Sequence, residues 1–72
     1  MTTYFKDSTG TVIWEVTTVN ETRQDIKVSD MGYWNGTTVT YYGTTFSELE
    51  TMLKQNGFTN EITSDDLTAL GF

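Results

Sequence analysis

The sequence predicts one α+β domain, residues 1–72, in which a four-stranded antiparallel β-meander carries one α-helix on one face and ends in a short helical turn. Three observations lead there. A chain of 72 residues has room for one domain. Its first two thirds are threonine-rich, alternating segments divided by turn residues, and they precede one amphipathic segment with both ends marked. The predicted strands are at about 2–6, 11–18, 25–34 and 37–42, the helix at about 46–56 and the helical turn at about 65–70.

The helix is predicted from the signals at its two ends. Thr45 and Glu48 have the spacing of a capping box, in which each side chain bonds the other residue's backbone amide. Gly57 suits the left-handed residue after a last turn, and Phe58 then can touch Leu53. Helical spacing gives the segment an apolar stripe. The residues of that stripe are Phe46, Leu49, Met52 and Leu53.

The strands are predicted from turn residues between β-branched segments. Asp7–Gly10 has an aspartate that can bond its own backbone and a glycine that accepts positive φ. Asn35-Gly36 is the strongest short hairpin signal that a sequence offers, and a two-residue turn there places Asp30 opposite Tyr41.

The strand registers can be tested by asking whether the apolar residues share one face. We expect Val16 opposite Ile26 and Phe5 opposite Val12, because this pairing collects the apolar residues under the helix and a one-residue slip would scatter them. The face so predicted holds Phe5, Val12, Trp14, Val16, Ile26, Val28, Trp34, Val39 and Tyr41.

The other face is predicted to be mostly polar, with a cluster of larger side chains. This face has three possible interpretations. It is an ordinary solvent-exposed face on which threonines separate the larger side chains, a site for a partner or a second copy, or a ligand surface. The larger side chains are Tyr4, Ile13, Met31, Tyr33 and Tyr42.

The segment after the helix is too short to fold alone, because isolated helices need about 12–15 residues to be even marginal. It therefore must dock. One alternative is the domain's own edge, and the other is a partner or a second copy of the chain. The apolar residues available for docking are Ile62, Leu67, Leu70 and Phe72.

Charge limits the classes of partner. Ten acids against four cations give −6, so direct nucleic-acid binding and binding to an anionic membrane are both disfavoured. No apolar run reaches the roughly 20 residues that cross a bilayer. The first residues, MTTYFKDS, have neither a basic nor an apolar region of a signal peptide, so we expect a cytoplasmic protein.

The residue types argue against catalysis. Without histidine or cysteine, the common nucleophilic sets and the usual zinc and copper ligands are missing. The carboxylate pairs Glu48/Glu50 and Asp65/Asp66 are typical of helix starts. We therefore expect no enzyme, no cofactor and no metal.

The leading hypothesis is a small, acidic, non-enzymatic protein-binding module. One version is an inhibitor of the kind common among small phage-encoded factors, whose carboxylates occupy a basic, nucleic-acid-binding groove on its target. The alternative is a structural or assembly protein that forms a homo-oligomer through the open sheet face or an edge strand. The candidate contact residues are Tyr4, Ile13, Met31, Tyr33, Tyr42, Glu48, Glu50, Asp65 and Asp66.

Overall fold

The computed structural model describes residues 1–30 and 33–69, and their side chains except at positions 30, 33–37 and 69. Four antiparallel strands lie in the order β1-β2-β3-β4, and two helices follow them in the chain. The predicted α+β meander is thus confirmed. The elements are β1 (Thr2–Lys6), β2 (Val12–Asn20), β3 (Arg23–Asp30), β4 (Tyr33–Tyr42), α1 (Phe46–Gln55) and α2 (Ser64–Ala69).

The central strand pair has the predicted register. Val16 lies opposite Ile26, and Trp14 lies opposite Val28. Both pairs point to the face that α1 covers, because side chains alternate along a strand and these residues are two apart.

The pairing of β1 with β2 differs from the prediction by two residues. Phe5 lies opposite Trp14, where the sequence predicted Val12. The hairpin closes further along than expected, because the Asp7 amide donates to the Val12 carbonyl at 3.0 Å. Gly10 completes the tight turn with φ of 74°. A two-residue shift preserves the side-chain alternation, so Phe5 stays on the predicted face.

The predicted hairpin turn at Asn35-Gly36 is wrong. Both residues lie inside β4, and the register begins with Asp30 opposite Tyr33. Residues 31 and 32, which separate these strands in the sequence, lie outside the described chain. Tyr41 lies opposite Gln24, where the sequence predicted Asp30.

An irregularity in the β3–β4 ladder accommodates the Asn-Gly pair. Lys27 lies opposite Thr38, but Ser29 lies opposite Trp34. Three residues of β4, 35–37, thus lie opposite a single residue of β3, Val28. Such bulges tolerate glycine inside a strand, so a turn signal here marks a break in the ladder and not the end of a strand.

Helix α1 begins and ends at the predicted signals. The Glu48 amide donates to the Thr45 hydroxyl at 3.2 Å, and the Thr45 amide donates to the Glu48 carboxylate at 3.4 Å. Gly57 has φ of 85°, and the Phe58 amide donates to the Leu53 carbonyl at 2.9 Å. The capping box and the glycine stop are both confirmed.

The core lies between α1 and the first face, which we define as the face of the sheet that α1 covers. The rings of Phe5 and Phe46 are 6.1 Å apart, and those of Trp14 and Phe58 are 5.7 Å apart. Val39 was predicted to lie in this core but is 45% exposed, since it sits on the outermost strand. The buried cluster is Phe5, Val16, Ile26, Leu49 and Leu53, with Trp14, Val28, Tyr41, Phe46 and Phe58 packed against it.

The segment after α1 docks on the domain's own edge as far as it is described. Lys6 and Thr59 exchange two backbone hydrogen bonds of 2.8 Å each, which extends the sheet beside β1. Lys6 also binds Asp66 of α2 through its side chain at 3.1 Å. Ile62 and Leu67 are half-buried. The other two apolar residues predicted for docking, Leu70 and Phe72, lie outside the described chain.

Candidate protein-binding surfaces

The face of the sheet away from α1, which we call the second face, carries most of the predicted aromatic contacts. Strand alternation assigns its members. In the described chain these are Thr2, Tyr4, Lys6, Ile13, Glu15, Thr17, Arg23, Asp25, Lys27, Ser29, Thr38, Thr40 and Tyr42.

One row of the second face is a polar ladder across three strands. Tyr4 lies opposite Glu15, and Glu15 lies opposite Lys27. Partial burial raises the pKa of Tyr4, and the charge of Glu15 and its hydrogen bond to the phenol raise it further. The Tyr4 hydroxyl is therefore engaged within the chain, and its ring is only half-exposed.

A second row presents an exposed aromatic ring. The Arg23 Nε donates to the Asp25 Oδ1 at 3.2 Å, and the Thr40 hydroxyl donates to the same oxygen at 3.0 Å. The Arg23 guanidinium lies 5.5 Å from the centroid of the Tyr42 ring, a cation–π distance. Tyr42 is 73% exposed. A partner would thus contact an exposed ring beside Arg23, which is held in place by Asp25.

Asp66 closes a second capping box at the start of α2 and also binds Lys6 of the second face. The Asp66 amide donates to the Thr63 hydroxyl, and the Thr63 amide donates to the Asp66 carboxylate, each at 3.2 Å. The hydrogen bond from the Thr63 amide, followed by the bond from Lys6, lowers the pKa of Asp66 against a smaller opposing effect of desolvation. Asp66 is therefore a structural residue as well as a surface acid.

The second face and its Asp66 contact are neutral in formal charge. Each cation has an acid beside it, either in an ion pair or directly opposite on the next strand. The net charge of −6 consequently belongs to the rest of the chain. The balanced groups are Lys6, Arg23 and Lys27 with Glu15, Asp25 and Asp66.

The predicted apolar contacts on this face differ in accessibility. Ile13 and its neighbour Ser29 are fully buried, which removes Ile13 from the surface that a partner would meet. Tyr42 is the opposite case, since it is largely exposed. The side chain of Tyr33 and all of Met31 lie outside the described part of the structure.

The predicted acids of α1 have local partners. Glu48 is exposed and closes the capping box of the helix. Glu50 is half-buried, and its carboxylate lies 3.8 Å from the Lys54 ammonium one turn later. Pairs of this kind contribute about 0.3–0.5 kcal/mol, so the contact with Lys54 leaves Glu50 available to an incoming cation.

The two acidic pairs do not form one site. Helix α1 lies on the first face, whereas Asp66 contacts Lys6, whose side chain belongs to the second face. Asp65 is exposed beside it. The structure therefore offers two separate acidic regions.

Sequence reasoning missed Gln24, which is a fully buried polar residue in β3. The Thr18 hydroxyl donates to its Oε1 at 2.8 Å, and its Nε2 donates to the Thr44 carbonyl at 3.2 Å. Gln24 lies two residues before Ile26, so strand alternation places its side chain on the first face. The amide thus joins the sheet to the segment that leads into α1.

The described residues bring together no group of three or more potential metal-ligating acids. Neither described helix has the length and apolar character needed to cross a bilayer.

Comparison of the chain with protein-family models, with curated proteins and with solved structures found no match.

Proposed function

We propose that this chain is a small, non-enzymatic binding module that recognises the basic surface of a protein partner in the cytoplasm. The observation that supports the proposal best is the separation of charge. Cations of the second face have acids beside them, so the excess negative charge is displayed by the rest of the molecule. A surface with uncompensated charge of one sign attracts a partner of the other sign and accelerates association.

Exposed carboxylates outside the neutral face supply that charge. Glu21, Glu61 and Asp65 are all exposed. With the α1 acids they are spread around the molecule, which suits a basic groove that touches the domain from more than one side. An acidic inhibitor of a nucleic-acid-binding protein, including one of phage type, would work in this way by occupying the site of the phosphates.

Two carboxyl groups, those of Asp7 and Asp66, have pKa shifts in the direction that agrees with a binding role. The pKa values of Asp7 and Asp66 both lie below their ordinary value. A general acid that works near neutral pH needs a raised carboxyl pKa. The lowered pKa values of Asp7 and Asp66 are opposite to this requirement.

The experiment is a pull-down from cytoplasmic extract of the native host with the tagged wild-type chain, repeated at about 50 mM and about 200 mM salt. We expect a basic protein that is retained at low salt and lost at high salt, because screening weakens contacts between exposed charges. Recovery of the same partner at both salt concentrations would contradict the proposal, as would an acidic partner.

Two variants of equal net charge sharpen this test. Asp65→Asn removes an exposed acid outside the neutral face, and Thr2→Lys adds a cation on that face, so each changes −6 to −5. We expect Asp65→Asn to reduce the retained partner more than Thr2→Lys does. Equal losses would mean that total charge, without a localised acidic contact, governs retention.

Self-association is the second candidate function, as in a structural or assembly protein. The observation in its favour is the composition of β4, YWNGTTVTYY, which has no charged residue and forms an edge of the sheet.

A further inference from the structure

The last hydrogen bond between β3 and β4 shows which residues of β4 direct their backbone groups towards β3 and which direct them outward. The Gly43 amide donates to the Thr22 carbonyl at 2.7 Å, one position beyond the pair Arg23 and Tyr42. Hydrogen-bonded and non-hydrogen-bonded pairs alternate in an antiparallel ladder. The amide and carbonyl of Tyr42 therefore point away from β3, towards the outside of the sheet.

The same alternation applies to Thr40 and Thr38, which lie opposite Asp25 and Lys27. Three successive alternate residues thus direct their backbone groups outward. In the described part of the chain no strand pairs with this side of β4. At the other edge of the sheet, Lys6 of β1 is closed by Thr59.

From Thr38 to Tyr42 the β4 edge lacks the features that usually prevent edge pairing, since its irregularity lies earlier in the strand, at residues 35–37. Natural edge strands are protected by charges, above all lysine, by proline, by bulges, or by covering segments. The ten residues of β4 include no charge and no proline. Two of its apolar side chains are also exposed, Val39 by 45% and Tyr42 by 73%.

We propose that β4 pairs edge to edge with β4 of a second copy of this chain, antiparallel, about a two-fold axis at Thr40. In this register Thr40 lies opposite Thr40 of the second copy, and Thr38 lies opposite Tyr42. Each of these residues donates one backbone hydrogen bond and accepts one. The two four-stranded sheets become one continuous eight-stranded sheet.

The side chains favour a second copy over an unrelated strand. On the second face, the large Tyr42 ring lies beside the small Thr38 of the other copy. On the first face, Val39 lies opposite Tyr41 of the other copy, which covers a valine that is 45% exposed in one chain alone. Because β4 is uncharged, two chains of −6 meet where neither carries charge on the contacting strand.

This inference does not rest on the proposed binding of a basic partner. The acidic groups lie outside β4, so a dimer would display them twice. Either proposal can fail while the other holds, since one is tested with a partner and the other with the pure chain.

Cysteine substitution tests the register, because the natural chain has no cysteine. Hydrogen-bonded partners have Cα atoms about 5.5 Å apart, within the range that a disulfide spans. Thr40→Cys should therefore form a disulfide-linked dimer under mild oxidation. Thr38→Cys is the matched control on the same strand and face, and its two copies would lie about 14 Å apart along the strands. We expect at least a tenfold difference in cross-linked fraction on a non-reducing gel.

Equal cross-linking of the two cysteine variants, or more with Thr38→Cys, would overturn the register. Light scattering of the unmodified chain over a concentration series tests the dimer itself. A single-chain mass up to millimolar concentration would overturn the proposal.

A charge placed on either edge distinguishes β4 from β1. Thr38→Glu adds a carboxylate opposite Lys27, which preserves the fold, but places it in the proposed interface. Thr2→Glu adds the same charge on the same face at the β1 edge. We expect Thr38→Glu to weaken dimerisation at least tenfold relative to Thr2→Glu, as measured by light scattering. Equal effects of the two variants would overturn the assignment of the interface to β4.

Discussion

Gln24 shows how one polar side chain can join two parts of the fold. Its amide accepts from the Thr18 hydroxyl and donates to the Thr44 carbonyl, in a site without access to water. Gln24→Leu fills the site with an apolar side chain. It leaves the Thr18 hydroxyl and the Thr44 carbonyl without their hydrogen-bond partner. We expect a loss of about 1–3 kcal/mol in the free energy of unfolding, measured by urea denaturation. Gln55→Leu, an exposed position, should change it by less than about 0.5 kcal/mol.

Leu53 contributes to stability through its packing in the core. It is 1% exposed and belongs to the core between α1 and the first face. Leu53→Ala should lower the free energy of unfolding by about 2–5 kcal/mol, because the cavity cannot close fully. Met52→Ala, at a position that is 36% exposed, is the control and should cost clearly less. A change below about 0.5 kcal/mol for Leu53→Ala would contradict the packing described above.

Residues whose partners are near in sequence were predictable, and those with distant partners were not. Thr45 and Glu48 are three apart, and their capping box was expected and is confirmed. Lys6 and Asp66 are 60 residues apart, and no local pattern indicates their ion pair. Gln24 was not predicted to be buried, and its Nε2 donates to the Thr44 carbonyl, which is 20 residues away in the chain.

Helix α2 depends on Asp66 more than on its own length. Six residues do not form a stable helix alone, but Asp66 bonds the Thr63 amide and Lys6. The pKa of Asp66 is lowered in the folded chain. Its stabilising effect is therefore complete above the unfolded-state pKa and is lost as pH falls through the lower folded pKa.

This dependence predicts that α2 loosens at acid pH before the sheet unfolds. Amide hydrogen exchange should show it at Leu67, whose N–H donates to the Thr63 carbonyl, while the amide of Ile26 stays protected. Asp66→Asn should produce the same loosening at neutral pH. Asp65→Asn is the matched control and should leave the exchange at Leu67 nearly unchanged. Equal exchange in the two variants would refute the anchoring role.

The strands show why a strong local signal can mislead. Asn35-Gly36 favours a turn by its own backbone preferences, yet β4 continues past it and pairs with β3 on both sides of it. The alternation of β-branched residues predicted two strands here and placed Ile26, Val28 and Tyr41 on one face, because it samples several residues at once. The turn position depended on two residues. Pairing between β3 and β4 outweighs the turn preference of Asn35-Gly36, which remains as an irregularity in the ladder.

For the whole molecule, charge and edge geometry describe different contacts. The neutral second face and the uncharged β4 leave the −6 to other surfaces. Contact with a basic partner would use those charged surfaces, whereas contact with a second copy would use the edge. The composition gives the total charge. Which surfaces are neutral and which are acidic can be seen only from the ion pairs and cross-strand pairs of the folded chain.

Salt should consequently act in opposite directions on the two kinds of association. Two chains of −6 repel each other at low ionic strength, where the screening length is about 30 Å at 0.01 M. At 0.15 M it is about 8 Å, so dimerisation through β4 should become tighter. Binding to a basic partner should weaken over the same range, because screening removes attraction instead of repulsion. Light scattering of the pure chain and titration with the partner from the pull-down, at both ionic strengths, measure the two slopes. A dimer that weakens with salt would show that ion pairs hold it together, which an uncharged β4 interface cannot supply.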